Sequence, residues 1–140
     1  MGLLECASGA SVWRGYDYYN EKKVKNLTET DAGVFTADVM GTASEPYVVE
    51  IDVAHPRKST CNCPHADGKR IVCKHMVATY FTAYPEEAVK FYREYLKAQE
   101  EAEQYEEELY DRVQEYVGHM KKNAFFGVVV IYTKVCINKL

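Results

Sequence analysis

Four side chains able to ligate a soft metal form two close pairs within fifteen consecutive positions: Cys61-Asn62-Cys63 and, after nine intervening residues, Cys73-Lys74-His75. The two pairs use three of the five cysteines and one of the four histidines. Three thiolates and one imidazole make a complete tetrahedral donor set for Zn²⁺. The spacing C-x-C-x9-C-x-H also dictates local structure. Cys61 and Cys63 are two apart, so on an extended strand they point the same way, and a tight turn at Pro64 would bring both sulfurs to one ion. On a regular helix, positions i and i+2 lie about 200° apart. Cys73 must therefore sit at or before a helix N-terminus, with His75 in the first turn, where the helix dipole favours a thiolate. The expected unit is strand, knuckle, loop and helix. His65 and His55 are the nearby alternatives for the fourth ligand, with His65 able to substitute if His75 pointed away.

The flanking segments supply the rest of an α+β domain. Residues 10–22 read as a helix with Val12, Trp13, Tyr16 and Tyr19 on one buried face. Residues 24–29 form a short strand, Asp31-Ala32-Gly33 is a turn, and residues 34–40 and 47–54 alternate apolar and polar positions. A further strand runs from Lys58 into Cys61. This predicts a small antiparallel sheet of three or four strands with one wet face. Met76, Val77, Tyr80, Phe81 and Tyr84 mark a helix after Cys73, and Pro85 ends it and opens another, with Glu86 and Glu87 in the first turn. The second helix is long and acidic. Its narrow stripe of Tyr92, Tyr95, Ala102, Tyr105, Leu109, Val113, Tyr116 and Met120 is broken at Gln99. Such a stripe packs along the domain near its start and offers a seam for self-association further out. Residues 124–140 are apolar and β-prone, too short for a membrane span, and read as a terminal strand. Cys136 within them is an ordinary thiol. The organisation is residues 7–84 as the finger domain, 85–122 as the long acidic helix and 123–140 as the tail.

Charge is distributed unevenly. The 140 residues carry a net charge of −4, which by itself argues against a dedicated nucleic-acid protein. Residues 86–118, however, hold eleven acids against four bases, whereas residues 55–75 hold five bases (Arg57, Lys58, Lys69, Arg70 and Lys74) against the single acid Asp67. The positive charge is concentrated where the metal would be. An odd, clustered set of cysteines fits metal binding in a reducing compartment better than a disulfide framework. The first residues lack a basic region followed by an apolar run, and Cys6 stands where a myristoylation motif wants Ser or Thr. A cytoplasmic protein is expected.

The run CNCPHADGKRIVCKHMVA resembles the SWIM-type zinc finger, whose pattern is C-x-C, a variable spacer, then C-x-H. The upstream ASGASVWRGYDYYNEKKVKNL, the extended PYVVEIDV and the CPH after the first pair are similar to bacterial proteins with this finger near their N-termini. The resemblance spans residues 7–84 and maps Cys61, Cys63, Cys73 and His75 onto the four zinc ligands. Fingers of this type occur in helicase-like ATPases, transposases and signalling proteins, so the resemblance implies DNA binding or protein interaction; it does not imply an enzyme.

Two functions follow as expectations. The first is nucleic-acid binding, with DNA as the partner, through Arg57, Lys58, Lys69, Arg70 and Lys74 on phosphates. The second is protein interaction through the acidic, tyrosine-rich helix. Four protein ligands close a zinc site that catalysis would need open. No Gly-rich phosphate loop is present, and a catalytic Cys–His pair comes from distant positions rather than from neighbours such as Cys73 and His75. Neither a small-molecule substrate nor a membrane is expected.

Overall fold

The computed structural model describes residues 2–122; the apolar strand expected over residues 124–140, and Cys136, lie outside them. The chain divides after Tyr92 into two compact units.

In the first unit a 3-10 turn (Leu4–Cys6) leads into α1 (Gly9–Asn20), then β1 (Val24–Asp31), β2 (Val34–Val39) and β3 (Tyr47–Asp52), a second 3-10 turn (Pro56–Lys58), β4 (Thr60–Cys61), α2 (Lys74–Ala83) and the start of α3 (Pro85–Lys122). Ser8 caps α1, its hydroxyl accepting the Ser11 backbone N–H at 3.2 Å. The strands form one sheet in the order β1-β2-β3-β4, antiparallel throughout. This is the α+β architecture expected.

Alternation builds the core. Phe35, Ala37 and Val39 of β2 and Val49 and Ile51 of β3 are buried, while Val48 and Glu50 face solvent. Met76, Val77 and Phe81 of α2 join the same cluster. The edge strand β1 is mostly exposed. It carries a bulge where Asn26 adopts φ 52° and donates from Nδ2 to Asp38 at 2.7 Å.

Residue 58 departs from expectation. Pro56 is buried and sets a 3-10 turn through Lys58, so β4 has two residues only. Side chains lengthen its ladder: Ser59 accepts the Asp52 N–H at 3.0 Å on one side, and Asn62 accepts the Val48 N–H at 2.9 Å on the other. Trp13, expected in the core, is 36% exposed, with its ring 4.8 Å from that of Phe91.

The helices α1 and α2 touch at Gly15. A Cβ there would lie 2.5 Å from Val77 Cβ and 2.9 Å from the Lys74 carbonyl oxygen. The second contact is backbone, so no rotamer change relieves it. Gly15→Ala is expected to cost about 1–3 kcal/mol, the range for forcing extra volume into a packed core, measured by urea unfolding. A variant as stable as the parent would show that the two helices separate freely.

The second unit begins at Arg93 and continues α3 to Lys122. Tyr105, Leu109, Tyr110, Val113 and Tyr116 are exposed along it. Among the described residues, no helix is long and apolar enough to cross a membrane.

Candidate metal centre

Each of the four expected ligands is delivered by a different local device. Pairing with Val49 fixes Cys61 at the sheet edge. The chain then reverses in a knuckle, in which the Cys63 carbonyl accepts the N–H groups of Ala66 (3.0 Å) and Asp67 (2.9 Å). Ala66 is buried beneath it. Cys73 is the N-cap of α2 with extended backbone (φ −94°, ψ 169°), and His75 stands in the first turn. The i, i+2 conflict of a regular helix is thus avoided, because Cys73 lies outside the helix.

All four side chains are buried, and their ligand atoms lie within 4.8 Å of one another. Cys61 Sγ is 3.7 Å and Cys73 Sγ 3.9 Å from His75 Nδ1. A zinc tetrahedron with bonds of about 2.3 Å to sulfur and 2.0 Å to nitrogen has S···N edges of about 3.5 Å, so the cluster closes on an ion with small adjustments. Nδ1 is the ring nitrogen turned to the sulfurs. Nε2 is buried without a hydrogen-bond partner among the described residues, which leaves it to carry the ring proton. The ring is held between Tyr47 (centroids 4.6 Å apart) and Tyr18 (5.4 Å). Gly41 closes over it: a Cβ there would stand 3.5 Å from Nε2 and would collide with the Tyr47 ring.

The thiols are prepared for metal. The Cys73 thiol is drawn down to about 4, chiefly by the hydrogen bond from Cys61 and against the opposing effect of burial. His75 and the Met76 backbone N–H lower it further. Cys61 is pushed up by the same bond and by burial. The opposite directions describe two buried sulfurs sharing one proton. A divalent cation would displace that proton and stabilise all three thiolates.

The alternative ligands fall away. His65 is exposed, and His55 is exposed and hydrogen-bonded to Asp52 at 3.1 Å. Of the five bases, Arg57, Lys58, Lys69 and Arg70 are exposed. Lys74 is half-buried, with its ammonium 4.6 Å from the centroid of the Tyr18 ring, over which Lys23 also lies at 4.3 Å. Its charge is therefore partly engaged within the domain. Arg57 and Arg70, from separate segments, line one cleft of about 410 Å³ together with Glu5, Cys6, Ile71 and Val72. The roles of Glu5, Cys6, Tyr18, Tyr47 and Gly41 were not legible beforehand, because no periodicity or spacing ties them to the ligands.

Three buried cysteines and a histidine on a strand, a knuckle and a helix N-terminus form the ligand set of a structural zinc finger. Residues 47–84, from the start of β3 to the residue after α2, match the family model of the SWIM zinc finger. The chain is a zinc-binding protein carrying a finger of that type. Searches of curated proteins and of solved structures returned no match.

Proposed function

We propose that the chain is a zinc-stabilised module that binds nucleic acid, with DNA as its ligand, and that it is not an enzyme. The observation carrying this reading is the convergence of Arg57 and Arg70 on one cleft, with Lys58 and Lys69 exposed next to them in sequence. Basic side chains grouped on the finger suit a phosphate backbone. A coordination sphere filled by four protein groups leaves no position for a substrate. Three thiolate ligands also favour a reducing compartment, consistent with a cytoplasmic location.

The test is anisotropy titration of the zinc-loaded protein against labelled single- and double-stranded DNA at two salt concentrations. Binding should weaken steeply with salt and be lost in the Lys69→Ala/Arg70→Ala variant. Absence of binding at low salt would reject the reading.

A second reading rests on α3. From Glu100 to Asp111 it carries seven acids and no base, interspersed with exposed Tyr105, Leu109 and Tyr110. That combination suits a basic protein partner. Pairing of two copies in parallel register would set like charges against each other. Sedimentation of the chain alone distinguishes a monomer from a self-associated form.

A further inference from the structure

We infer that the cleft between Arg57 and Arg70 is a site for a single phosphodiester group, gripped by both guanidinium groups at once; for the source of that group the inference rests on the nucleic-acid reading. Neither arginine makes a hydrogen bond or ion pair with another described residue. Two like charges on residues that line one cavity repel each other, and an anion between them would reverse the sign of that interaction. The guanidinium fork matches the paired oxygens of a phosphate, which gives specificity as well as attraction.

The backbones that carry the two arginines are held. Arg57 follows the buried Pro56 within its 3-10 turn. Arg70 precedes Ile71 and the buried Val72, and Val72 forms a parallel β-bridge with Ala7. That bridge also holds the segment bearing Glu5 and Cys6, itself fastened by the buried Leu3. Both walls of the cleft are therefore pinned to the core, while the charged ends stay accessible. A volume of about 410 Å³ lies within the roughly 300–1,000 Å³ of ligand pockets. It leaves room for the sugar attached to a phosphate, with Ile71 and Val72 as an apolar surface beneath it.

Charge favours an anion here. Two arginines and one acid are among the residues that line the cleft, the acid being Glu5, whose carboxylate accepts the Gly2 backbone N–H at 3.0 Å. The formal charge of these residues is positive, which attracts a backbone diester.

The experiment measures binding of an oligonucleotide duplex with 5′-hydroxyl ends across a salt series, using the full zinc-loaded chain, Arg57→Gln, Arg70→Gln and the double variant. Zinc content is checked in each. If both arginines share one phosphate, either single variant lowers affinity with little change in the slope of log K against log salt. The double variant then loses about 0.9 of slope, the value for one duplex phosphate. A loss of about 0.9 in each single variant and about 1.8 in the double would mean two separate phosphates and overturn the inference. So would variants that bind like the parent, although DNA binding itself would then stand. If the parent binds no DNA, dimethyl phosphate is titrated while the amide resonances of Cys6, Ile71 and Val72 are followed. Shifts in the parent that vanish in the double variant uphold the cleft without the nucleic-acid reading, and their absence removes both. Stronger binding after 5′-phosphorylation, lost in the double variant, would replace the diester with a terminal phosphate.

Discussion

Cys73→Ser is expected to abolish zinc binding and unfold residues 55–84. Cys73 contributes at three levels: it is the N-cap of α2, it is 1% exposed, and its sulfur is one of the four clustered ligand atoms. A serine suits an N-cap position, but its hydroxyl is a poor ligand for zinc at neutral pH. Structural zinc contributes an apparent binding free energy of about 10–16 kcal/mol in small fingers, as large as the roughly 5–15 kcal/mol that keeps a whole domain folded. Without it, the knuckle has only Ala66 and Val72 buried between Cys63 and Cys73 to hold it. The measurements are metal content by atomic absorption and thermal melting by circular dichroism. Cys6→Ser serves as the control, since Cys6 is free and outside the cluster. A Cys73→Ser protein with unchanged zinc and unchanged melting would refute the metal site.

Phe81→Ala is expected to cost about 3–5 kcal/mol, the range for emptying a buried aromatic position. Phe81 is fully buried. Its ring meets Tyr16 edge-on with centroids 5.9 Å apart, Tyr19 at 6.1 Å and Phe91 at 5.6 Å. Those partners come from α1 and from the start of α3, so one side chain joins three helices. The cavity would be lined by rigid rings that collapse poorly, which places the cost in the upper part of the range. Zinc content should remain full under native conditions, because Phe81 is not among the ligands. Guanidinium unfolding followed by tyrosine fluorescence measures the loss. A loss below about 1 kcal/mol, the scale of a tolerated core change, would mean that the helices are held by the metal and not by this packing.

The two substitutions separate what was legible in the chain from what was not. The ligands were, because coordination chemistry restricts both residue type and spacing. The requirement that Cys73 precede its helix followed from 3.6 residues per turn and is met. The alternating strands were legible for a similar reason, since Val49 and Ile51 must share a face. The extent of β4 was not: it depends on Pro56 and on side-chain bonds from Ser59 and Asn62 that substitute for backbone pairing. Trp13 was assigned to the buried face by periodicity alone, which cannot tell a core from its rim. Lys74 was grouped with exposed bases, and only the fold reveals Tyr18 beneath it. Gly15 gave no signal, because a helical glycine looks the same whether it faces water or another backbone.

The knuckle that follows β4 also bears on how such a finger can diversify. The spacings within each ligand pair are dictated by a strand and by a helix start, and neither tolerates an inserted residue. The connecting stretch is different: residues 67–70 are exposed, and Gly68 turns there in the left-handed region at φ 68°. Lengthening a tethered loop costs little, about 0.6 kcal/mol for each doubling. Lys69 and Arg70 thus ride on the part of the finger whose length the ion does not dictate. A lineage can change the charge and reach of that loop by insertion, deletion or substitution there, while the coordination that keeps the finger folded is inherited intact.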